Sequence, residues 1–153
     1  MKLTAIMRQS LILPEINAKS KAEALKEIIT AILKEFPELN ENDLFSVIME
    51  REKLSSTGIG SGIAIPHAKI PNIKYHIAAF GRSKVGIPFN AIDSKPVYLI
   101  FLIIGPQGAN EAHLKALARI SKFLHDTAFR ERLFTAESAQ LIYETIAEKD
   151  AQY

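Results

Sequence analysis

Residues 97–104 read Val-Tyr-Leu-Ile-Phe-Leu-Ile-Ile, and they are the strongest indication of the fold in the sequence. It is the longest apolar run in the chain, yet it is too short to cross a membrane, for which a helix needs about 20 residues. Apolar side chains at successive positions are typical of a strand whose sheet is covered on both faces. Residues 105–108, Gly-Pro-Gln-Gly, end the run as a turn. The run therefore predicts a central strand between two layers of helices.

Helical patterns lie on both sides of this strand along the chain. The first begins at Ser20, which forms a capping-box pattern with Glu23, and it ends before Pro37. The second starts after Asn40 and runs to about Leu54. Further predicted helices are Glu111 to Leu124, about Thr127 to Phe134, and Ala139 to Glu148, and further predicted strands are Ile63 to Ile65 and Ile77 to Phe80. We therefore expect an α/β protein with helices on both sheet faces.

The composition predicts one globular domain, residues 1–153, with 48% hydrophobic and 24% charged residues. The 19 Lys and Arg are scattered among 17 Asp and Glu, which argues against nucleic acid as a partner. Without cysteine the chain has no disulfide, thiol nucleophile or Cys-based zinc site. No signal peptide is apparent at the N-terminus, and no run is long enough for a membrane-embedded protein. We expect a cytoplasmic location.

A glycine-rich segment, Ser55 to Gly62, precedes the first predicted strand. Its glycines do not match a dinucleotide-binding fingerprint, because the third glycine would have to replace Ile63 and a strand follows instead of a helix. Glycines at 58, 60 and 62 do allow the backbone to approach a ligand closely, and exposed amides can receive an anion. The alternative is a flexible turn that joins a helix to a strand.

Two histidines and one arginine are candidates for the chemistry. His67 directly follows Pro66, whose fixed φ gives the imidazole, a nucleophile near neutral pH, a stiff mount. Arg51 lies on the apolar side of the second helix, from which its guanidinium could reach an anion. With Asn110 as the N-cap, His113 falls in the first turn of its helix, where the positive helix end favours the neutral imidazole.

Considered alone, His67 and His113 are more typical of surface or capping histidines, and Arg51 is as consistent with an arginine whose stem covers apolar surface while its head is in water. His76 and His125 are assigned to structure, the first before a strand and the second at a helix end. A histidine metal site formed by His67 and His113 is a third possibility. It is disfavoured because catalytic zinc normally has three protein ligands, and no carboxylate stands at a recognisable spacing.

The run from Arg51 to His67, Arg-Glu-Lys-Leu-Ser-Ser-Thr-Gly-Ile-Gly-Ser-Gly-Ile-Ala-Ile-Pro-His, closely resembles the active-site signature of type-2 enzyme IIA domains. These domains belong to the bacterial phosphoenolpyruvate-dependent phosphotransferase system, with fructose, mannitol and nitrogen-regulatory branches. The resemblance extends to the Ser20 helix and to residues 89–97 and 113–118. The Thr-Gly-Ile-Gly core, residues 89–96 and the stand-alone domain are most similar to the nitrogen-regulatory branch. Ala68 departs from the glycine often found after the histidine.

The resemblance implies a three-layer α/β/α sandwich with a central mixed sheet. It implies that His67 accepts a phosphoryl group from a small histidine phosphocarrier protein (HPr-like), with Arg51 and His113 as the other catalytic residues and no cofactor. We also expect phosphate-binding groups at three positions of the glycine-rich segment, Thr57, Gly58 and Gly60. The downstream partner is then a kinase, a transporter or another regulatory target.

Two alternative functions remain open from the sequence. In the first, the chain is a sugar-specific enzyme IIA of the fructose or mannitol type, which passes the phosphoryl group to a IIB component during uptake. In the second, it is a non-enzymatic regulatory module that binds its partner directly, and phosphorylation only toggles the binding surface.

Overall fold

In the computed structural model, residues 2–153 are described, and six strands within them form one sheet. The strands are β1 (Met7–Leu13), β2 (Gly58–Gly60), β3 (Ile63–Ala64), β4 (His67–Ile70), β5 (Ile77–Ile87) and β6 (Val97–Pro106). The helices are α1 (Lys21–Glu35), α2 (Glu41–Leu54), α3 (Asn110–Leu124), α4 (Thr127–Thr135) and α5 (Ala139–Ala151), preceded by a 3-10 helix at Leu3–Ala5.

Strand β6 is the centre of the sheet, as its apolar run predicts. The order is β1-β5-β6-β3-β2, and β4 also pairs with β6, next along its length after β3. β5 is antiparallel to β6, whereas β3 and β4 are parallel to it. The sheet is therefore mixed. The consequence for function is that His67, the first residue of β4, is paired with Ile103 on the central strand.

Alternate residues of β6 enter two separate apolar layers, as the period of two in a strand requires. Ile100, Leu102 and Ile104 pack in the layer formed with α1 and α2. Leu99, Phe101 and Ile103 pack in the layer formed with α3, α4 and α5. Full burial of one such side chain contributes about 1.5–3 kcal/mol. The predicted α/β/α sandwich with a mixed sheet is confirmed.

The helix starts agree with the sequence in two of three cases. Ser20 Oγ accepts from the Glu23 amide (3.2 Å), and Asn40 Oδ1 accepts from the Asp43 amide (3.0 Å). The predicted N-cap at Asn110 is wrong, because Asn110 is already the first residue of α3 and its side-chain oxygen accepts from Lys69 Nζ. The helix consequently starts without a side-chain cap.

Strands β1, β2 and β4 were not predicted, and β5 is longer than predicted. β1 is an edge strand whose one partner among residues 2–153 is β5, and its middle residues are polar and exposed, so it lacks apolar alternation. β4 has only four residues, including His67 and Lys69, and its pairing with β6 makes it a strand. Among the described residues, no helix has the length and apolar character needed to span a bilayer.

Arg82 on β5 links the sheet to the end of α4. Its side chain is 2% exposed, and Nε donates to Pro14 O (2.9 Å). Nη1 donates to the carbonyls of Leu133 (2.9 Å), Phe134 (3.1 Å) and Ala136. A cation is favourable here, because the last carbonyls of a helix lack partners within the helix and carry partial negative charge. Arg82 thereby holds α4 against the sheet.

Candidate active site

His67 stands at the start of β4 with one ring nitrogen committed. Its Nδ1 lies 2.8 Å from the carbonyl oxygen of Ile65. A carbonyl can only accept, so Nδ1 carries the hydrogen and the lone pair of the neutral ring is on Nε2. The carbonyl of Pro66 accepts from the Ile103 amide (3.0 Å), which anchors the residue before His67 to β6. The ring is therefore presented to its surroundings through Nε2.

The His67 imidazole is half-buried, and its pKa is lowered. Burial is the main cause; the positive charges of Arg51 and Lys69 act in the same direction, while the bond to Ile65 and the charge of Glu52 oppose it. Because the lowered pKa falls below an ordinary value of 6.5, the ring is neutral at pH 7. The free lone pair on Nε2 makes it a competent nucleophile.

Arg51, His67 and His113 line one open cavity of about 580 Å³. The structure thus brings together the three side chains that the sequence singled out. Arg51 is held by a bond from Nη1 to Ser55 O (2.8 Å), across the C-terminal end of α2. The rest of the wall is mainly apolar or small: Val47, Ala68, Gln107, Gly108, Leu114 and Leu117, together with Lys69. The cavity offers a cationic and imidazole-lined floor with an apolar rim.

Lys69 is a second cation in this cavity that the sequence patterns did not reveal. It is exposed, and its ammonium donates to the Asn110 side chain at the start of α3. Its position two residues after His67 could have indicated that it lies beside His67, because residues i and i+2 of a strand share a face. Two cations in the cavity with His67, Arg51 from α2 and Lys69 from β4, suit a ligand with several anionic oxygens.

His113 is buried, with 5% of its surface exposed, and its ring centroid lies 5.5 Å from that of His67. Neither ring nitrogen has a hydrogen-bond partner among residues 2–153. The pKa of His113 falls to about 4, first because of burial and then through His67, His76 and Lys69. The predicted neutral imidazole agrees with this value, although burial, rather than the helix end, is the main cause.

His76 also belongs to this group, although its sequence position suggested only a structural role. Its ring centroid lies 5.9 Å from that of His113, and its buried Nε2 has no hydrogen-bond partner in the described residues. Nothing in the sequence spacing connects the two, because His76 comes from the loop before β5 and His113 from α3. His125 is exposed at the end of α3, outside this group.

The glycine-rich segment does not reach the cavity wall, in contrast to the phosphate-binding role expected for Thr57, Gly58 and Gly60. The amide and hydroxyl of Thr57 both donate to the Glu52 carboxylate, and the Gly58 amide donates to Ser56 Oγ (3.0 Å). Gly58 and Gly60 lie in the β2–β3 hairpin, where Gly60 has a φ of +94°. Their placement therefore supports a role in shaping the hairpin.

Glu52 is a buried carboxylate next to Arg51 that the sequence did not single out. Its Oε2 lies 2.9 Å from Lys21 Nζ of α1, and its oxygens accept from Thr57. The side chain thus joins α1, the last turn of α2 and the start of the hairpin. An unpaired buried charge is costly, so the Glu52 carboxylate is stable only while Lys21 and Thr57 remain its partners. These contacts therefore hold the three elements together.

Within residues 2–153, no three histidine, aspartate or glutamate side chains lie close enough together to hold a metal ion. The two-histidine pair that suggested such a site is separated by 5.5 Å between ring centroids.

Known proteins similar to this chain cover the whole cavity region. A family model described as "Phosphoenolpyruvate-dependent sugar phosphotransferase system, EIIA 2" matches residues 5–149. A nitrogen regulatory protein from Bradyrhizobium diazoefficiens is 40% identical over 147 residues, which cover 96% of this chain and 95% of that protein. The fructose-specific EIIABC component of Bacillus subtilis is 39% identical, but the match covers 98% of this chain and only 24% of that protein. The crystal structure of the nitrogen regulatory protein IIA-Ntr from Neisseria meningitidis has a TM-score of 0.87 at 33% identity, covering 93% of this chain and 97% of that one.

Proposed function

This chain belongs to the type-2 EIIA family of the phosphoenolpyruvate-dependent phosphotransferase system and is a phosphocarrier of that system, and on that premise we propose that His67 carries the phosphoryl group. The single observation that carries the proposal is the state of the His67 ring. Nδ1 is occupied by Ile65 O, so the nucleophilic nitrogen is Nε2, in a cavity shared with Arg51 and His113. We therefore assign the phosphoryl group to Nε2.

The transfer needs no group other than those of the two proteins. The Nε2 lone pair of His67 attacks the phosphorus of a phosphohistidine on the HPr-like donor. The donor P–N bond breaks, and its electron pair returns to the donor imidazole. Catalysis of such a transfer is mostly positioning and charge stabilisation. Arg51 and Lys69 are the cations available to the phosphoryl oxygens, and His113 is the neutral donor beside them.

The cavity rim suits a protein donor better than a small molecule. Leu114 is 65% exposed at the rim, beside the partly buried Val47 and Leu117. Exposed apolar side chains around a polar centre are typical of a surface that another protein covers. We propose that this rim receives the HPr-like donor, and afterwards the downstream partner, on the same face.

We propose a regulatory role for the phosphorylated chain, with a kinase or transporter as the target. The support is the similarity to the nitrogen regulatory protein from B. diazoefficiens, in which the match covers 95% of that protein. The alternative is transfer to a IIB component in sugar uptake, which the fructose-specific relative from B. subtilis favours. We also propose that residues 1–153 act as one domain, because both apolar layers are built on the same sheet.

The test is phosphorylation of the purified chain with phosphoenolpyruvate labelled in its phosphoryl group, enzyme I and the HPr-like protein. We expect one acid-labile, alkali-stable phosphoryl group, lost in His67→Ala and kept in the control His125→Ala, which removes an exposed histidine. Nitrogen–phosphorus correlation NMR should place the phosphorus on Nε2. Label that survives His67→Ala refutes the proposal, and phosphorus on Nδ1 refutes the assigned nitrogen.

A second experiment separates the regulatory role from sugar transport. The labelled chain is mixed with a fructose-type IIB component, and the loss of label from the chain is followed in time. Rapid transfer would contradict the regulatory proposal and support the alternative. Retention of the label, with a partner whose binding depends on phosphorylation of His67, would support the regulatory role.

A further inference from the structure

Three histidines from three different parts of the chain lie next to one another at the cavity, and two of them line it. His67 is on β4, His113 is on α3, and His76 is in the loop before β5. Adjacent ring centroids are 5.5 Å apart for His67 and His113 and 5.9 Å apart for His113 and His76. The phosphoryl-transfer chemistry above uses the first two rings and leaves His76 without a role.

Gly105 on β6 is the residue that makes room for the two inner rings. A Cβ at this position would lie 2.7 Å from His76 Nε2 and 2.9 Å from His113 Nδ1. No side chain fits at such distances, so the two nitrogens face the same small space above the glycine backbone. Nδ1 of His113 faces Gly105 and His76, so Nε2 is the other ring nitrogen of a side chain that lines the same cavity as His67.

The hydrogen-bond requirements of these buried nitrogens restrict how they can be satisfied. Within the described part of the chain, three of them lack a partner: His76 Nε2, His113 Nδ1 and His113 Nε2. A neutral imidazole has one N–H donor and one acceptor, and an unsatisfied buried polar atom costs about 1–3 kcal/mol. Because His76 Nε2 and His113 Nδ1 both approach the same point above Gly105, each is the other's available partner. A hydrogen bond between them would satisfy two atoms and leave His113 Nε2 for a ligand.

The direction of this bond decides what His113 presents to the cavity. If His76 Nε2–H donates to Nδ1, then the hydrogen of His113 must be on Nε2, which becomes a donor. If the direction is reversed, Nε2 keeps a lone pair, which would repel phosphoryl oxygens. The outer face of His76 borders a separate surface cavity of about 440 Å³ with Thr4 and Tyr75, where water can donate to its Nδ1. When His76 Nε2 is the donor, every nitrogen of the His76 and His113 rings therefore has a partner once the phosphoryl group is present.

We propose that His76 is a positioning residue for His113, which it holds in the Nε2–H tautomer by donating a hydrogen bond from its own Nε2 to His113 Nδ1. The consequence for transfer rests on the proposed function of His67, because the fixed N–H then points at the phosphoryl group on that residue. The tautomer itself exists in the unphosphorylated protein. It can therefore be measured whether or not His67 is the acceptor.

The test is long-range nitrogen–proton correlation NMR on the unphosphorylated protein with ¹⁵N-labelled histidine at pH 7. We expect His113 in the Nε2–H form, a mixture of tautomers in His76→Phe, and the Nε2–H form restored in His76→Gln, whose amide NH₂ can donate. Dispersed backbone spectra establish that each variant is folded. His113 as the Nδ1–H tautomer in the native chain, or unchanged in His76→Phe, overturns the proposal.

Transfer kinetics give a second readout that a merely structural role would not move. The maximal rate of His67 phosphorylation should fall about tenfold in His76→Phe, as expected for loss of a hydrogen bond of about 1.4 kcal/mol. The KM for the HPr-like donor should not change, and His76→Gln should recover most of the rate. A rise in KM with an unchanged maximal rate would overturn the role in transfer. If the native chain is not phosphorylated at all, the proposed function is refuted. The NMR measurement of the His113 tautomer would then still show whether His76 positions His113.

Discussion

The buried His113 should make the stability of the protein depend on pH between about 4 and 6.5. Its pKa falls from the ordinary 6.5 to about 4, because of burial and then the neighbouring His67, His76 and Lys69. In the unfolded chain, where the pKa has the ordinary value of 6.5, most of the rings are protonated below that pH. Below that pH the unfolded state therefore binds more protons than the folded state, and the protein loses stability as the pH falls.

The size of the effect follows from the shift of the pKa. One pKa unit corresponds to about 1.4 kcal/mol, so the full contribution of His113 is about 3 kcal/mol. By pH 4.5 about 2.5 kcal/mol of this has been lost, and above pH 6.5 almost none. This loss is a large share of the roughly 5–15 kcal/mol by which a native domain is stable.

The assay is urea unfolding at a series of pH values from 7.5 to 4.5, on the native chain and on His113→Gln. The variant cannot bind this proton. The unfolding free energy of the native chain, relative to that of His113→Gln, should therefore fall by about 2.5 kcal/mol between pH 7.5 and pH 4.5. His125→Gln is the matched control and should follow the native curve. If the native and His113→Gln curves run parallel within about 0.5 kcal/mol, the buried neutral imidazole is refuted.

Three further predictions concern individual residues. Arg51→Ala should reduce the rate of His67 phosphorylation by about 100-fold, as for loss of one charge-stabilising group, whereas the exposed Arg8→Ala should not; equal rates would exclude Arg51 from the site. Arg82→Met should cost about 3–5 kcal/mol in urea unfolding, because buried carbonyls lose a charged donor, and a loss below 1 kcal/mol would contradict this role. Gly105→Ala should cost about 1–3 kcal/mol and disturb both inner histidine rings in NMR spectra; unchanged histidine signals would refute the close approach.

Local patterns predicted the elements whose signals lie within a few residues. Ser20 and Asn40 start their helices as side-chain caps, because a cap needs only an oxygen three residues before an unpaired amide. The apolar run of β6 identified the central strand, because burial on both faces requires apolar side chains at both alternations. β1 escaped prediction since its exposed edge carries polar residues, and its pairing with β5 is a contact between distant parts of the chain.

Sequence patterns alone predicted the layered α/β architecture, and the family motif predicted that Arg51, His67 and His113 belong to one site. The folded chain was needed to establish that the Ile65 carbonyl leaves Nε2 of His67 free and that Thr57 is bound to Glu52. It also brought His76 next to His113 across the bare backbone of Gly105. The physical reason is that caps and apolar periodicity act within one element, whereas hydrogen-bond partners and burial depend on residues that meet only after folding.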